Sequence, residues 1–375
     1  MAAPQSHGDI QLSTYSSFVK AARYPDDPTT LTNERLIFNA RQGIRTALQL
    51  DTNLVIDISD YMVGGRTTPD RAALRQHNLT QLVDICLFCQ EKGIPYTVMP
   101  GLCIPEISPD RFEESIRQYN LFFPLHGIQL IDDPQGQTMS PVKQLHDILS
   151  LPKEEIQFRA LPFLYLCAML VVSADPAQSH PWAKFEDFLS LVEEFVGVFS
   201  EKELRIAMVV LGDFRAQHLD LFDADGLDLI KSIENNFARR KKKRPKTADD
   251  AIRIAFNGSS DLAMLNAAVV RDGKEMDGEV LDIWFGSNDK KLLKFLVELF
   301  CYRVIVPGET GMFAEVSYPK GFDVAMLVYE AKLFARKVSM SDNRQIARLD
   351  SDLWVIRVKQ FLQVLHSAFQ VNAAT

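Results

Sequence analysis

A strand, helix and strand succession in residues 46–101 limits the possible folds more than any other feature of the sequence. "TALQLDTNLVIDI" carries an apolar run interrupted at Asp51 and reads as a strand over 47–56. Helical spacing over 70–92 stops at Gly93, and "IPYTVMPG" (94–101) is a second buried strand. Two strands joined through a helix imply a right-handed crossover and a parallel sheet, so the fold class is α/β: a parallel sheet flanked by helices. Ligand sites in such sheets lie beyond the carboxyl ends of the strands. Asp51 and Glu106 both sit near such ends.

The rest of the chain divides around this unit. Residues 1–30 are polar and turn-rich ("YPDDPTT") and read as an arm with little core of its own. "TNERLIFNARQGIRTAL" has helical spacing, with Thr32 or Asn33 as N-cap. Residues 31–108 form the first part of the α/β domain, and 109–246 a mainly helical insertion in which "LRIAMVVLG" (204–212) reads either as strand or as buried helix. Residues 247–310 return to the domain. There "TADDAIRIAFNGSSDLAMLNAAVV" predicts two helical pieces separated at Asn257-Gly258, with Ser259 or Ser260 as cap and Asp261 in the first turn. "GEVLDIWFGSNDKKLLKF" predicts a strand over 280–285, a turn, and a helix from about 289, so Asp289 follows a strand as Asp51 does. Residues 311–375 add C-terminal helices.

Composition restricts the function classes. Hydrophobic residues make up 47% of 375, enough for a large core. The net charge of −8 gives no chain-wide attraction to polyanions, so any nucleic-acid contact must be local. The candidate is "ARRKKKRPK" (238–246), where Arg239, Arg240, Lys241, Lys242, Lys243 and Arg244 stand ready for phosphate contact. Lys290 and Lys291, beside Asp289, are lesser candidates for the same contact. The longest apolar run, 160–174, falls short of the roughly 20 residues of a membrane span and reads as a buried core helix. No basic and apolar leader opens the sequence, and five cysteines are an odd, sparse set, which predicts a cytoplasmic chain with reduced thiols. Cys86 and Cys89 fall within a helical pattern without a second metal-ligand pair and read as core. Neither a zinc HxxxH pair nor a glycine-rich phosphate loop is present.

The acids are the informative residues. Asp51 and Asp289 follow strands, Glu106 lies beyond another, and Asp261 opens a helix. Carboxylates that converge repel unless protons or cations neutralise them, and hard oxygen ligands suit Mg²⁺ or Mn²⁺. Such a site can activate water and stabilise charge on a phosphodiester. In this order, "LQLDTNLVIDI", an isolated Glu, "SSDLAMLNAAV" and "DIWFGSNDKKLLKF" together resemble the PIN domain of metal-dependent nucleases. The resemblance covers about 46–108 and 250–306. It implies a PIN-like fold, an endoribonuclease activity, and Asp51, Glu106, Asp261 and Asp289 as metal-binding acids. Asn53 and Asn288 would be polar supports, with Ser287 as the small hydroxyl residue before the final pair. The long insertion departs from the family pattern and leaves Asp249 or Asp250 as alternatives to Asp261. Asp57 and Asp60 read as bystanders.

Two other readings remain. A non-catalytic PIN-like scaffold would bind a regulatory protein partner through its insertion and C-terminal helices. A haloacid-dehalogenase-like phosphohydrolase would use Asp51 as nucleophile, but that family has a second Asp where this chain has Asn53.

Overall fold

The computed structural model of the chain describes residues 13–22, 27–100, 107–130, 146–174, 180–198, 200–212, 222–238, 245–276, 278–299, 304–305, 312–313 and 351–374. They fall into two compact units. The first comprises residues up to Ser140 with Ala267–Leu293, and the second Pro141–Asn266 with the chain from Lys294 onward.

The first unit is built on strands β1 (Thr14–Val19), β2 (Thr30–Thr32), β3 (Ile44–Leu50), β4 (Tyr96–Met99), β5 (Glu275–Met276) and β6 (Glu279–Gly286). They form one sheet of order β2-β1-β6-β3-β4, with β5 paired to β6. β3 is parallel to both β4 and β6, as the crossover requires. The expected α/β class with a mostly parallel sheet flanked by helices is therefore present. Helix α1 (Asn33–Arg41) begins where Thr32 Oγ1 accepts the Arg35 N–H at 3.3 Å, satisfying one of the helix's unpaired donors. On one face of the sheet Ala47, Leu281 and Ile283 pack with Ala268 and the half-buried Met99.

Three expectations change here. The strand expected over 47–56 stops at Leu50, and helix α2 runs over Thr52–Met62. Its buried Leu54, Val55, Ile58, Tyr61 and Met62 recur at helical spacing, with Asn53, Ile56 and Asp60 exposed on the opposite side. The helix expected over 70–92 is divided into α3 (Arg71–Gln76) and α4 (Thr80–Lys92), because Asn78 takes a positive φ of 56°. Gly93 ends α4 in the left-handed conformation, φ 64°, as expected.

The third change is in the N-terminal arm. Within 1–30, β1 enters the sheet antiparallel to β6, and Tyr15 and Phe18 are buried. Phe18 lies against Gly286, where an added Cβ would come within 2.4 Å of Phe18 Cε1 and 2.9 Å of its Cδ1. The ring is 1% exposed, so relieving the contact requires it to shift within the core. Gly286→Ala is thus expected to destabilise the protein by about 1–3 kcal/mol, the usual penalty of overpacking. A thermal melt with an unchanged midpoint would show that the ring yields freely.

Helix α5 (Pro109–Leu125) packs on α2 and belongs to the first unit. The second unit contains α6 (Lys153–Ala174), α7 (Pro181–Leu191), α8 (Glu201–Leu211) and α9 (Ala224–Ile233). Segment 204–212, left open between strand and helix, falls almost wholly in α8. Residues 163–170 are buried to 1% or less, and α7, α8 and the C-terminal α12 (Ser351–Ala374) pack on α6. By length and composition α6 is apolar enough to cross a membrane, but 72% of that window is buried within the protein.

Helix α10 (Ala248–Arg271) is continuous through Gly258, not two pieces separated at Asn257-Gly258. Gly258 serves packing: an added Cβ would lie 2.8 Å from Leu166 Cδ1 and 3.0 Å from Phe237 Cδ1. Ser259 and Ser260 are therefore interior helix residues, and Asp261 is mid-helix rather than in a first turn. Helix α11 (Lys290–Leu299) follows β6, and the short β7 (Val304–Ile305) pairs antiparallel with β8 (Met312–Phe313).

Candidate functional site

Asp51 is the residue between β3 and α2, and Ser287, Asn288 and Asp289 join β6 to α11. Because β3 and β6 are parallel neighbours with Leu50 opposite Gly286, both junctions lie at the same end of the sheet. The Asp51 N–H donates to Gly286 O at 2.8 Å, continuing the ladder by one bond.

Side chains connect the two junctions. Ser287 Oγ donates to Asp51 Oδ2 at 2.6 Å, and Asn53 Nδ2 donates to the same oxygen at 3.0 Å. Ser287 Oγ in turn accepts the Asp289 N–H at 2.9 Å. Asp51 is 1% exposed, a burial that a carboxylate tolerates only with such donors around it. Asp289 Oδ1 accepts the N–H groups of Lys291 and Leu292 at 2.8 and 3.2 Å, so it caps α11. The structure thus joins Asp51, Asn53, Ser287 and Asp289 in one hydrogen-bonded run.

Asn288 departs from its expected role. Its Nδ2 donates to Asp57 Oδ2, across from the second turn of α2. Asp57, read from sequence as a bystander, is therefore tied to this junction. Burial raises its carboxyl above the ordinary range, and the Asn288 hydrogen bond and the nearby His77 oppose that rise. Asp60 is exposed. A signal for Asp57 existed in the sequence, since it stands six residues after Asp51, but Asn288 is 231 residues away.

Asp261 is half-buried on α10 in the second unit, which also holds the exposed Asp249 and the half-buried Asp250 at the start of that helix. The first unit alone therefore does not assemble the four-acid cluster expected from the sequence. Glu106 and the basic residues Arg239–Arg244 lie outside the described residues. Among the described residues no group of three or more His, Cys, Asp or Glu side chains gathers to hold a metal ion. Asp51 and Asp289 follow two adjacent strands, and a Mg²⁺-type ion generally keeps several waters and takes one or two carboxylates together with substrate phosphates.

Sequence reasoning missed a second polar centre in the first unit. Asp282, an inward residue of β6 at 2% exposure, forms an ion pair with the buried Lys20 and accepts from Arg35 Nε at 3.0 Å. Asn39 Nδ2 and Trp284 Nε1 donate to its Oδ2 at 2.6 and 2.8 Å. Asp272 lies 3.8 Å from the Lys20 ammonium and accepts the Ile283 N–H at 2.8 Å. Burial alone would raise the Asp282 carboxyl, but the charges and hydrogen bonds of Lys20 and Arg35 outweigh it and hold the group well below the usual carboxylate range. With two cations and two carboxylates the cluster is balanced, which fits a structural role.

Cys86 and Cys89 are fully buried in α4, and burial pushes both thiols upward, Cys89 to about 12. That disfavours the thiolate needed for metal binding and agrees with core packing. Comparison of the chain with protein-family models, with curated proteins and with solved structures found no match.

Proposed function

We propose that this chain is a PIN-like, metal-dependent nuclease, most simply an endoribonuclease, whose site lies at the carboxyl ends of β3 and β6. One observation carries the reading: Ser287 Oγ bridges the Asp51 carboxylate and the Asp289 backbone N–H, linking the residues that follow two adjacent parallel strands at the end of the sheet where such folds bind ligands. Asp51 and Asp289 would hold Mg²⁺ or Mn²⁺, with Glu106 and Asp261 as the further acids that the sequence resemblance implies. When bound, the ion supplies Lewis acidity and a more acidic water for attack on a phosphodiester. The chain's own residues do the orienting. Ser287 and Asn53 fix the Asp51 carboxylate, and the cap on α11 fixes Asp289. RNA rather than DNA as substrate comes from the resemblance, and Arg239–Arg244 would supply phosphate contacts in the cytoplasm.

The test is cleavage of mixed RNA and DNA substrates with and without EDTA. Cleavage of RNA that EDTA abolishes and added Mn²⁺ restores is the expected result; cleavage indifferent to EDTA overturns the metal-dependent reading.

A second reading has its own support. Asp51 and Asp289 are both satisfied by hydrogen bonds within the protein, as structural acids are. This favours a PIN-like scaffold that binds a protein partner. A thermal shift with millimolar Mn²⁺ separates the two, since an ion that binds only the folded state must stabilise it.

A further inference from the structure

The C-terminal turn of α5 rests on α2 through three rings. His126, the C-cap of α5, lies 4.9 Å from Phe122 one turn earlier and 5.5 Å from Tyr61 of α2, centroid to centroid. Tyr61 meets Phe122 edge-on at 5.5 Å. Phe122 and Tyr61 are buried, and His126 is half-buried. Its Nε2 is enclosed and, among the described residues, has no hydrogen-bond partner. The imidazole therefore packs as an aromatic ring, with a nitrogen where a phenyl would have carbon.

The charges around the ring oppose a further positive one. Arg66, in the chain after α2, lies over Tyr61 at 4.6 Å from the ring centroid and donates from Nε to Tyr61 O at 3.1 Å. Arg71 comes from α3. Each guanidinium already has a carboxylate, Asp70 with Arg66 at 3.1 Å and Asp84 of α4 with Arg71 at 2.6 Å. From α2 come Asp57, which accepts from Asn288, and the exposed Asp60. His77, the C-cap of α3, meets Tyr61 edge-on at 6.1 Å. The last turn of α5 carries no charged residue. Burial, Arg71 and Arg66 together hold the His126 imidazole below the ordinary histidine range.

A neutral imidazole can leave Nε2 as a lone pair, whereas an imidazolium carries a proton on both nitrogens. Protonation thus sets a donor at Nε2 with nothing to receive it, and a positive charge in the field of two arginines. Water relieves both costs only if the ring leaves Tyr61 and Phe122. The chain just beyond stays on α4, because Gln90 Nε2 donates to Gly127 O at 2.9 Å and Gln90 Oε1 accepts the Gln129 N–H at 3.0 Å. The movement is confined to the end of α5.

We propose that His126 is an acid-sensitive latch, which when neutral closes the end of α5 onto α2 and when protonated releases that turn. The release begins as pH falls below about 6.5, the value of a histidine in an unfolded chain, and is complete below the lower folded value.

The experiment is hydrogen exchange of the full chain at about pH 7.5 and about pH 5, on either side of histidine titration and corrected for intrinsic rates. Amides of residues 119–128 are expected to lose protection several-fold at the lower pH, while β3 and β6 keep theirs. His126→Phe keeps an aromatic ring without a titrating group and should hold equal protection at both pH values. The same acid loss in His126→Phe would overturn the proposal. So would an acid loss that disappears in His77→Gln, which would assign the effect to the other histidine on Tyr61. Proton NMR of the wild-type chain supplies a measurement that needs no variant: His126 should titrate below about 6.5, and titration at or above that value would overturn the latch.

Discussion

Asp282→Ala is expected to cost about 3–5 kcal/mol of stability, the penalty for leaving a buried charge without its partner. The charge left behind is the Lys20 ammonium, 5% exposed, with Asp272 at 3.8 Å and the Trp284 ring at 4.9 Å as its remaining company. Trp284 would lose this acceptor at the same time, and Asn39 would keep the one to Thr46 Oγ1. Arg35 suffers less because its side chain is 21% exposed and reaches water. Urea unfolding measures the effect, with Trp182 and Trp354 changed to Phe so that Trp284 reports on the first unit. A midpoint change worth under about 1 kcal/mol would mean that water relaxes around Lys20 and the cluster adds little.

The same residue sets a pH dependence. The carboxyl is lower in the folded protein than the value of about 3.9 expected for an unfolded chain. Its contribution is therefore fully present above about pH 4 and is lost as pH falls from there toward the lower folded value. Wild-type stability should decline through this window, and the decline should be shallower in Asp282→Ala. Equal slopes would assign acid sensitivity to other carboxylates.

Under the proposed nuclease reading, Asp51→Asn is expected to reduce metal-dependent cleavage by at least about 100-fold, since loss of a proposed direct ligand should exceed the 10–100-fold cost of losing an outer partner. The substitution is a mild one for the fold. The Asn carbonyl can still accept from Ser287 and Asn53, so the melting temperature without metal should change little. Retained cleavage in a folded Asp51→Asn variant would remove Asp51 from the site. Loss of cleavage together with loss of folding would leave only the structural contact with Ser287, and Asp289→Asn then provides the cleaner comparison, because Asn also caps helices well.

The contrast between these two acids shows how far the sequence could be read. Asp51 was legible because local signals surround it: an apolar strand before, a helix after, and a second strand beyond Gly93. Asp289 was legible for the same reason, through "FGSNDKKLL". Asp282 stands in the middle of "GEVLDIWFG", a strand that was expected, yet nothing near it names Lys20, which is 262 residues earlier. A period-2 pattern tells which residues point inward but not which charge will meet them.

Sequence by itself determined the elements whose causes lie within a few residues. Thr32 caps α1, Gly93 ends α4 with a positive φ, and the β3, α4, β4 order makes the strands parallel. Tertiary structure decided what depends on distant partners. It drew β1 out of a polar arm because Phe18 fills the space above Gly286. It kept α10 whole because Gly258 lets that helix approach Leu166 and Phe237, where a local reading sees only a helix breaker. It placed Asp261 in the second unit, and it tied Asp57 to Asn288. Capping and backbone preference act through adjacent atoms, whereas packing and charge pairing become defined only when the chain has closed on itself.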